Sequence, residues 1–356
     1  MLVSNEEKAT TITNEILERL KKAGDRVAYL KEKMYYPQDV DDIFLNEDTN
    51  IFDIEAAKRQ KYRISEQEKT GTPVILYDDG EGVKHDFTDK RPITNFPLKQ
   101  TDMKDAPVVI YEFPIENPPY GLYVAGIDPY RQGKSAYSSS LGSVYIYKRM
   151  HAISGEKYQD MFVASYCARP DKKETWEEQA RYLIKYYNAR ALCENDEISF
   201  IDYMINKGDA HYLEKQPQWL KEIVPNTTVR RDYGIHRSSE KIRDFLHSCL
   251  KKYTEELVHT ETNEEGETVS EVKGMSKILD PVLLEEMIQY NESGNFDRII
   301  AAELAIGLAM KLDPMMGRVG DKEDERFSSF RKQNKKNILF TESRGLFERK
   351  RNKLFS

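Results

Sequence analysis

The stretch GLYVAGIDPYRQGKS, residues 121–135, sets an apolar run against one carboxylate and one lysine, and its reading decides the fold. It ends in Gly133-Lys134-Ser135, the last letters of a phosphate-binding loop, G-x-x-x-x-G-K-[ST]. Counting back, the first glycine of such a loop falls on Asp128, and the nearest glycine, Gly126, is two residues early. A carboxylate there repels phosphate, and the segment leads toward another strand instead of the helix that a P-loop needs. Leu122 to Ile127 therefore reads as a strand buried on both faces. Asp128 is an acid at its C-terminal end, and the GKS letters read as a hairpin turn.

Downstream, LGSVYIYKR (141–149) and DMFVASYCA (160–168) read as two more strands in an antiparallel meander with the first. Thr175-x-x-Glu178 reads as a capping box that opens a helix with Trp176, Ala180, Leu183, Ile184 and Tyr187 inward. ARALCEN (189–195) is a second buried strand, and Glu194 holds the place in it that Asp128 holds in the first. A short helix over 199–206, a strand at TTVRRDY (227–233) and a helix begun by Ser238 or Ser239 follow. Residues 255–273 read as an acidic hairpin turning at Glu265-Gly266. Asp280-Pro281 caps and starts another helix, and NFDRIIAAELAIGLAMKL (295–312) is the last. Three strands, then alternating helices and strands, is the element order of the ribonuclease H-like fold. The expectation is an α/β domain, a mixed five-stranded sheet flanked by helices with the first and fourth strands parallel at its centre.

Composition bounds this domain. With 39% hydrophobic residues in 356, the chain can fill one substantial core and a smaller unit. No apolar run approaches the roughly 20 residues that span a bilayer, and the N-terminus lacks the pattern of a signal peptide, so the reading is soluble and intracellular. Cys167, Cys193 and Cys249 are widely spaced and odd in number, which speaks against a disulfide framework or zinc ribbon. The net charge of −7 hides an asymmetry: Arg331 to Ser356 carries nine Lys or Arg against two Glu. A basic tail on an acidic body suits a nucleic-acid contact or a solvated end. The expected division is an accessory or linker region with a small β unit over 1–118, the α/β domain over 119–312 and the basic tail over 313–356.

Asp128 and Glu194, each at the end of a buried strand, would be costly to desolvate unless paired or bound to a cation. Asp297 opens the small-residue helix, whose Ala301, Leu304 and Leu308 share its face. If the two strands pair, the three acids converge. Convergent carboxylates are the hard ligands that Mg²⁺ and Mn²⁺ prefer, and two such ions can clamp a phosphodiester displacement. The six histidines show no zinc spacing, and no G-x-S-x-G motif occurs.

Four stretches carry a family resemblance: VAGIDPY (124–130), ALCENDEISFIDYM (191–204), DYGIHRSSEKIRDFL (232–246) and LLEEMIQYNESGNFDRIIAAELAIG (283–307). The chain resembles the nuclease domain of the large terminase subunit, the DNA-packaging protein of tailed bacteriophages and herpesviruses. YYPQDVDDIFLNEDTNIFD (35–53) is similar to the segment joining the ATPase and nuclease domains of that family. The resemblance implies a metal-dependent endonuclease with two Mg²⁺ or Mn²⁺ ions, cutting double-stranded DNA during genome packaging. Its metal ligands and catalytic acids would be Asp128, Glu194 and Asp297, with Asp128 bridging both ions and Asn195 orienting Glu194. Lys241 and His236 would lie near the scissile strand, and Arg230, Arg231, Arg237 and Arg243 would track the DNA backbone. The implied partners are a terminase ATPase domain, for which these 356 residues hold no P-loop, the small terminase subunit and the portal protein. The implied location is the prohead in the infected cell. Many members carry another aspartate several residues after the first, whereas the loop here reads PYRQGKSAYSSS, with Lys134 and no acid. Another ribonuclease H-like nuclease, such as a junction resolvase or integrase, and an inactive DNA-binding packaging module are the alternatives.

Overall fold

The structure is a computed structural model. It describes residues 6–23, 29, 32–33, 35–38, 50–67, 70–94, 103–131, 140–149, 160–217, 220, 224, 232–262, 268–291 and 294–312. Among the described residues no helix is long and apolar enough to cross a membrane.

The sheet is built outward from the apolar run Leu122 to Ile127. That run forms β4 (Tyr123–Asp128), buried at all six positions. β5 (Gly142–Lys148) and β6 (Met161–Ala168) are equally buried and continue from it as an antiparallel meander. Strands apolar on both faces must be covered on both sides. On the other edge of β4 lies β7 (Arg190–Cys193), parallel to it, with Ile127 opposite Cys193. The expected parallel pairing of the two acid-tipped strands is present.

Among the described residues the sheet has seven strands where five were expected, in the order β2-β1-β3-β6-β5-β4-β7. The additional strands are β1 (Thr72–Asp78), β2 (Val83–Phe87) and β3 (Val108–Ile110), from the region read as an accessory unit. β3 lies antiparallel to β6, with Val109 opposite Ser165, and β1 and β2 form the Asp-Gly hairpin beyond it. A free β6 edge would expose unpaired N–H and C=O groups, and β3 covers it. Among the described residues, no strand of regular length lies beyond β7. Leu213 and Ile235 meet β7 and Glu194 through isolated parallel bridges.

Helices cover both faces. α1 (Glu6–Ala23) and α2 (Ile54–Ser65) come from the N-terminal region, and the Asp53 carboxylate caps α2 by accepting from Ala56 N–H. α3 (Lys173–Tyr186) lays buried Trp176 against Tyr166 on one face of the sheet. α3 starts two residues before the expected capping box, and Thr175 lies inside it. Lys172 is its N-cap and makes no side-chain cap bond, while the buried Lys173 ammonium pairs with Glu197 at 3.1 Å and draws the first turn inward. α4 (Ser199–Asn206) follows β7 as expected.

The other face receives α5 (Glu240–Glu255), α6 (Pro281–Gln289) and α7 (Asp297–Leu312). Ser239 is the N-cap of α5 but makes no side-chain cap bond there. Asp280 caps α6 as expected, accepting from the N–H groups of Val282 and Leu283, with Pro281 in the first turn. Asn50 caps the other end of α6 by donating to the Met287 and Ile288 carbonyls at 3.0 Å. β8 (Leu257–Thr262) and β9 (Thr268–Lys273) form the expected hairpin as a separate two-stranded sheet. Its turn at Glu265-Gly266, most of TTVRRDY, the GKS letters with Lys134, and the basic tail lie outside the described residues.

α7 crosses β4 at closest approach over Gly126. A Cβ there would stand 1.9 Å from the Ala301 carbonyl oxygen and 2.4 Å from Ala305 N. Only glycine on the strand and alanines on the helix allow two backbones this close. One helical turn spans ~5.4 Å and two strand residues span ~6.6 Å. Stepping one turn from Ala301 to Asp297 therefore matches stepping from Gly126 to Asp128.

Candidate active site

Asp128 and Glu194 stand side by side because β4 and β7 are parallel and in register: Glu194 N–H donates to the Ile127 carbonyl at 2.8 Å. Asp128 is 8% exposed and Asp297 2%. Burial, then the charges of Glu194 and Asp297, hold the Asp128 carboxyl well above the usual carboxylate range. Burial raises Asp297 as well, opposed by the hydrogen bonds it accepts. Those come from Leu141 N–H at 2.6 Å, the Ser140 hydroxyl at 3.0 Å and the Asn295 amide at 3.2 Å. Ser140 and Leu141 carry no signal in the sequence, since they sit across the β4–β5 connection from Asp128. Asn295, two residues before Asp297, was legible in Asn-Phe-Asp-Arg.

The Arg298 of that motif has a structural task. Its guanidinium is buried, donating to Glu286 at 2.7 Å and to the Ile93 carbonyl at 2.8 Å. The Glu286 carboxylate also accepts from the N–H groups of Arg298 and Ile299, at 3.1 and 3.3 Å, and so caps the first turn of α7. Burial pushes Glu286 up to about 7 against the pull of Arg298. The pair fixes where α7 begins, and with it the position of Asp297.

The remaining candidates separate. Arg237, expected on the DNA backbone, is buried at 6% exposure. Its guanidinium donates to Glu303 of α7 at 2.9 Å and lies 3.9 Å from Glu194. Glu303, itself fully buried, also contacts His247 of α5. Desolvating Glu303 requires a buried cation, which draws Arg237 inside, so this guanidinium is turned away from solvent and toward the acids. Asn195 is buried, and its amide donates to the Tyr233 carbonyl at 3.0 Å, so it pins the 233–235 segment beside β7. His236 pairs with Asp196, two residues past Glu194. Lys241 is exposed in the first turn of α5. Arg243 is also exposed and donates to the Arg237 and Ser238 carbonyls, each at 3.3 Å. Arg230 and Arg231 lie outside the described residues.

Among the described residues no group of three His, Cys, Asp or Glu is already closed around a metal-sized point. Asp297 turns its oxygens toward Ser140, Leu141 and Asn295. The neighbouring Asp128 and Glu194 nevertheless suit a cation: a buried carboxyl beside a second, partly buried one is relieved by a positive ion. Oxygen-only donors suit Mg²⁺ or Mn²⁺. No protein-family model, curated protein or solved structure matches the chain.

Proposed function

We propose that the chain is a metal-dependent endonuclease of ribonuclease H-like architecture that cuts double-stranded DNA, in the manner of a terminase nuclease domain. The observation that carries this reading is the placement of Asp128, Glu194 and Asp297. Two acids end adjacent parallel strands, and the third opens the helix packed over them. The strand order β6-β5-β4-β7, an antiparallel meander with a parallel fourth strand against the first, supports the architecture.

Asp128 and Glu194 are the principal donors for a divalent ion, and Asp297 approaches from the helix end. Bound Mg²⁺ or Mn²⁺ would supply an activated water and neutralise the charge building on the phosphate. The protein's own contribution is positional. Leu141 N–H, Ser140 and Asn295 hold the Asp297 carboxylate, while Arg237 balances the charge of Glu194 from inside the fold. A phosphate backbone arriving at the strand ends meets Lys241 as an exposed cation, one that contacts phosphate without reading sequence. By the same resemblance, an ATPase domain, a small terminase subunit and a portal would bring the DNA.

Incubation with supercoiled plasmid and Mn²⁺ or Mg²⁺ tests the reading, with Asp128→Ala as the control. Metal-dependent nicking and linearisation by the parent chain and none by the variant is the expected result. No metal-dependent cleavage, or equal cleavage by Asp128→Ala, overturns it.

A further inference from the structure

We propose that Arg169 is a positioning residue for this acidic site, a clamp that ties together the two ends of the β4–β5 connection. It rests on the nuclease reading for its effect on metal binding and on the geometry alone for its effect on the connection. The connection leaves β4 at Asp128 and re-enters the sheet at Gly142. Arg169 lies one residue beyond the end of β6, and its guanidinium forks. One nitrogen donates to the Ser140 carbonyl at 2.6 Å and another to the Arg131 carbonyl at 3.0 Å. The same guanidinium stacks on the Tyr130 ring, 4.6 Å from its centroid. The Tyr130 hydroxyl in turn donates to the Pro170 carbonyl at 3.1 Å, which closes the cluster.

Both ends of the fork lead to acids. Arg131 is three residues past Asp128, and Tyr130 is two past it. Ser140 and Leu141 are the groups that hold Asp297, by hydroxyl and by main-chain N–H. One planar cation with a fixed donor geometry therefore sets the separation between the Asp128 end of a strand and the anchor of Asp297 on a helix. Without it, the Ser140–Leu141 main chain loses its tether to β6, and Asp297 loses a fixed partner. Arg131 gives a natural control. Its own side chain reaches Asp196 and Glu197 at the rim and is 70% exposed. Arg169 grips its main-chain carbonyl, which an Arg131→Gln variant retains.

The test compares the full chain with Arg169→Gln, Arg169→Lys and Arg131→Gln. Hydrogen exchange at the Leu141 amide is read first, without metal. Mn²⁺ binding follows by calorimetry, with thermal unfolding alongside. In Arg169→Gln, Leu141 exchange rises at least tenfold and Mn²⁺ affinity falls about 10–100-fold, the usual cost of losing a group that orients a ligand. Arg169→Lys, which keeps the charge but not the fork, falls between, and Arg131→Gln behaves as the parent. If Arg169→Gln does not fold, the lysine variant carries the same comparison. Unchanged Leu141 exchange in a folded Arg169 variant overturns the clamp whatever the metal does. Raised exchange in Arg169→Gln together with a parent chain that binds no Mn²⁺ upholds the clamp and removes the nuclease reading instead. Raised exchange with unchanged Mn²⁺ affinity overturns the role of Arg169 in positioning the acids.

Discussion

Replacing Gly126 by alanine tests whether the approach of α7 to β4 places the third acid. Backbone entropy alone favours alanine, since glycine inside a strand costs about 0.5–1 kcal/mol relative to alanine. The structure predicts the opposite sign. The new Cβ would stand 1.9 Å from the Ala301 carbonyl oxygen and 2.4 Å from Ala305 N, where ordinary contact begins at 3.4 Å, so α7 must retreat by about 1.5 Å. Both atoms are main chain, and no rotamer change relieves the clash. Overpacking costs typically ~1–3 kcal/mol, and a clash with two backbone atoms belongs at the upper end, so a net loss of about 2 kcal/mol or more is expected. The retreat also carries Asp297 away from Asp128, and a misplacement of ~1 Å costs about 10²-fold in rate. Urea unfolding and metal-dependent plasmid cleavage measure the two effects. A Gly126→Ala chain as stable as the parent, cutting at the parent rate, would refute the packing argument and with it the placement of Asp297.

Asp128 and Asp297 both have raised carboxyls in the folded chain. Metal-free stability should therefore be full below the ordinary Asp value of 3.8 and decline as pH rises through the folded values, by ~1.4 kcal/mol per pH unit for each proton retained. Mn²⁺ should restore it at neutral pH, and Asp128→Asn should flatten the decline; a melting temperature independent of pH in metal-free parent protein would contradict this. Arg298→Ala leaves Glu286 buried and unpaired and should cost about 3–5 kcal/mol in urea unfolding; a loss below 1 kcal/mol would contradict the account. Lys241→Gln should weaken DNA binding across sequences and reduce the slope of log K against log salt by about 1. Arg237→Gln should cost stability first, because Glu303 then loses its cation.

What could be read in advance follows from local chemistry. β4 and the Ala191–Cys193 part of β7 declare themselves because strand segments buried on both faces are apolar, and an acid at the end of each marks the candidate site. Asp280-Pro281 declares a helix start because a cap and a fixed φ act within three residues. The seven-stranded extent of the sheet was not legible, since β3 joins β6 more than fifty residues away and its three residues carry no register signal. Thr175-x-x-Glu178 misled because the pattern is satisfied as well inside a helix as at its start. The burial of Arg237 had one available signal: Glu303 sits within an alanine-rich run, Ala301 to Met310, that is buried throughout, and such a carboxylate demands a cation. Arg169 had none, because its partners are main-chain carbonyls.

The central claim is that Asp128, Glu194 and Asp297 hold divalent cations at the ends of β4, β7 and α7. Crystals of the protein soaked in Mn²⁺ and measured at a wavelength where manganese scatters anomalously test it directly. The account predicts an anomalous peak about 2.0–2.2 Å from oxygens of Asp128 and Glu194, with Asp297 as the third acid beside it. A peak elsewhere, or none between Asp128 and Glu194 at saturating Mn²⁺, would contradict it.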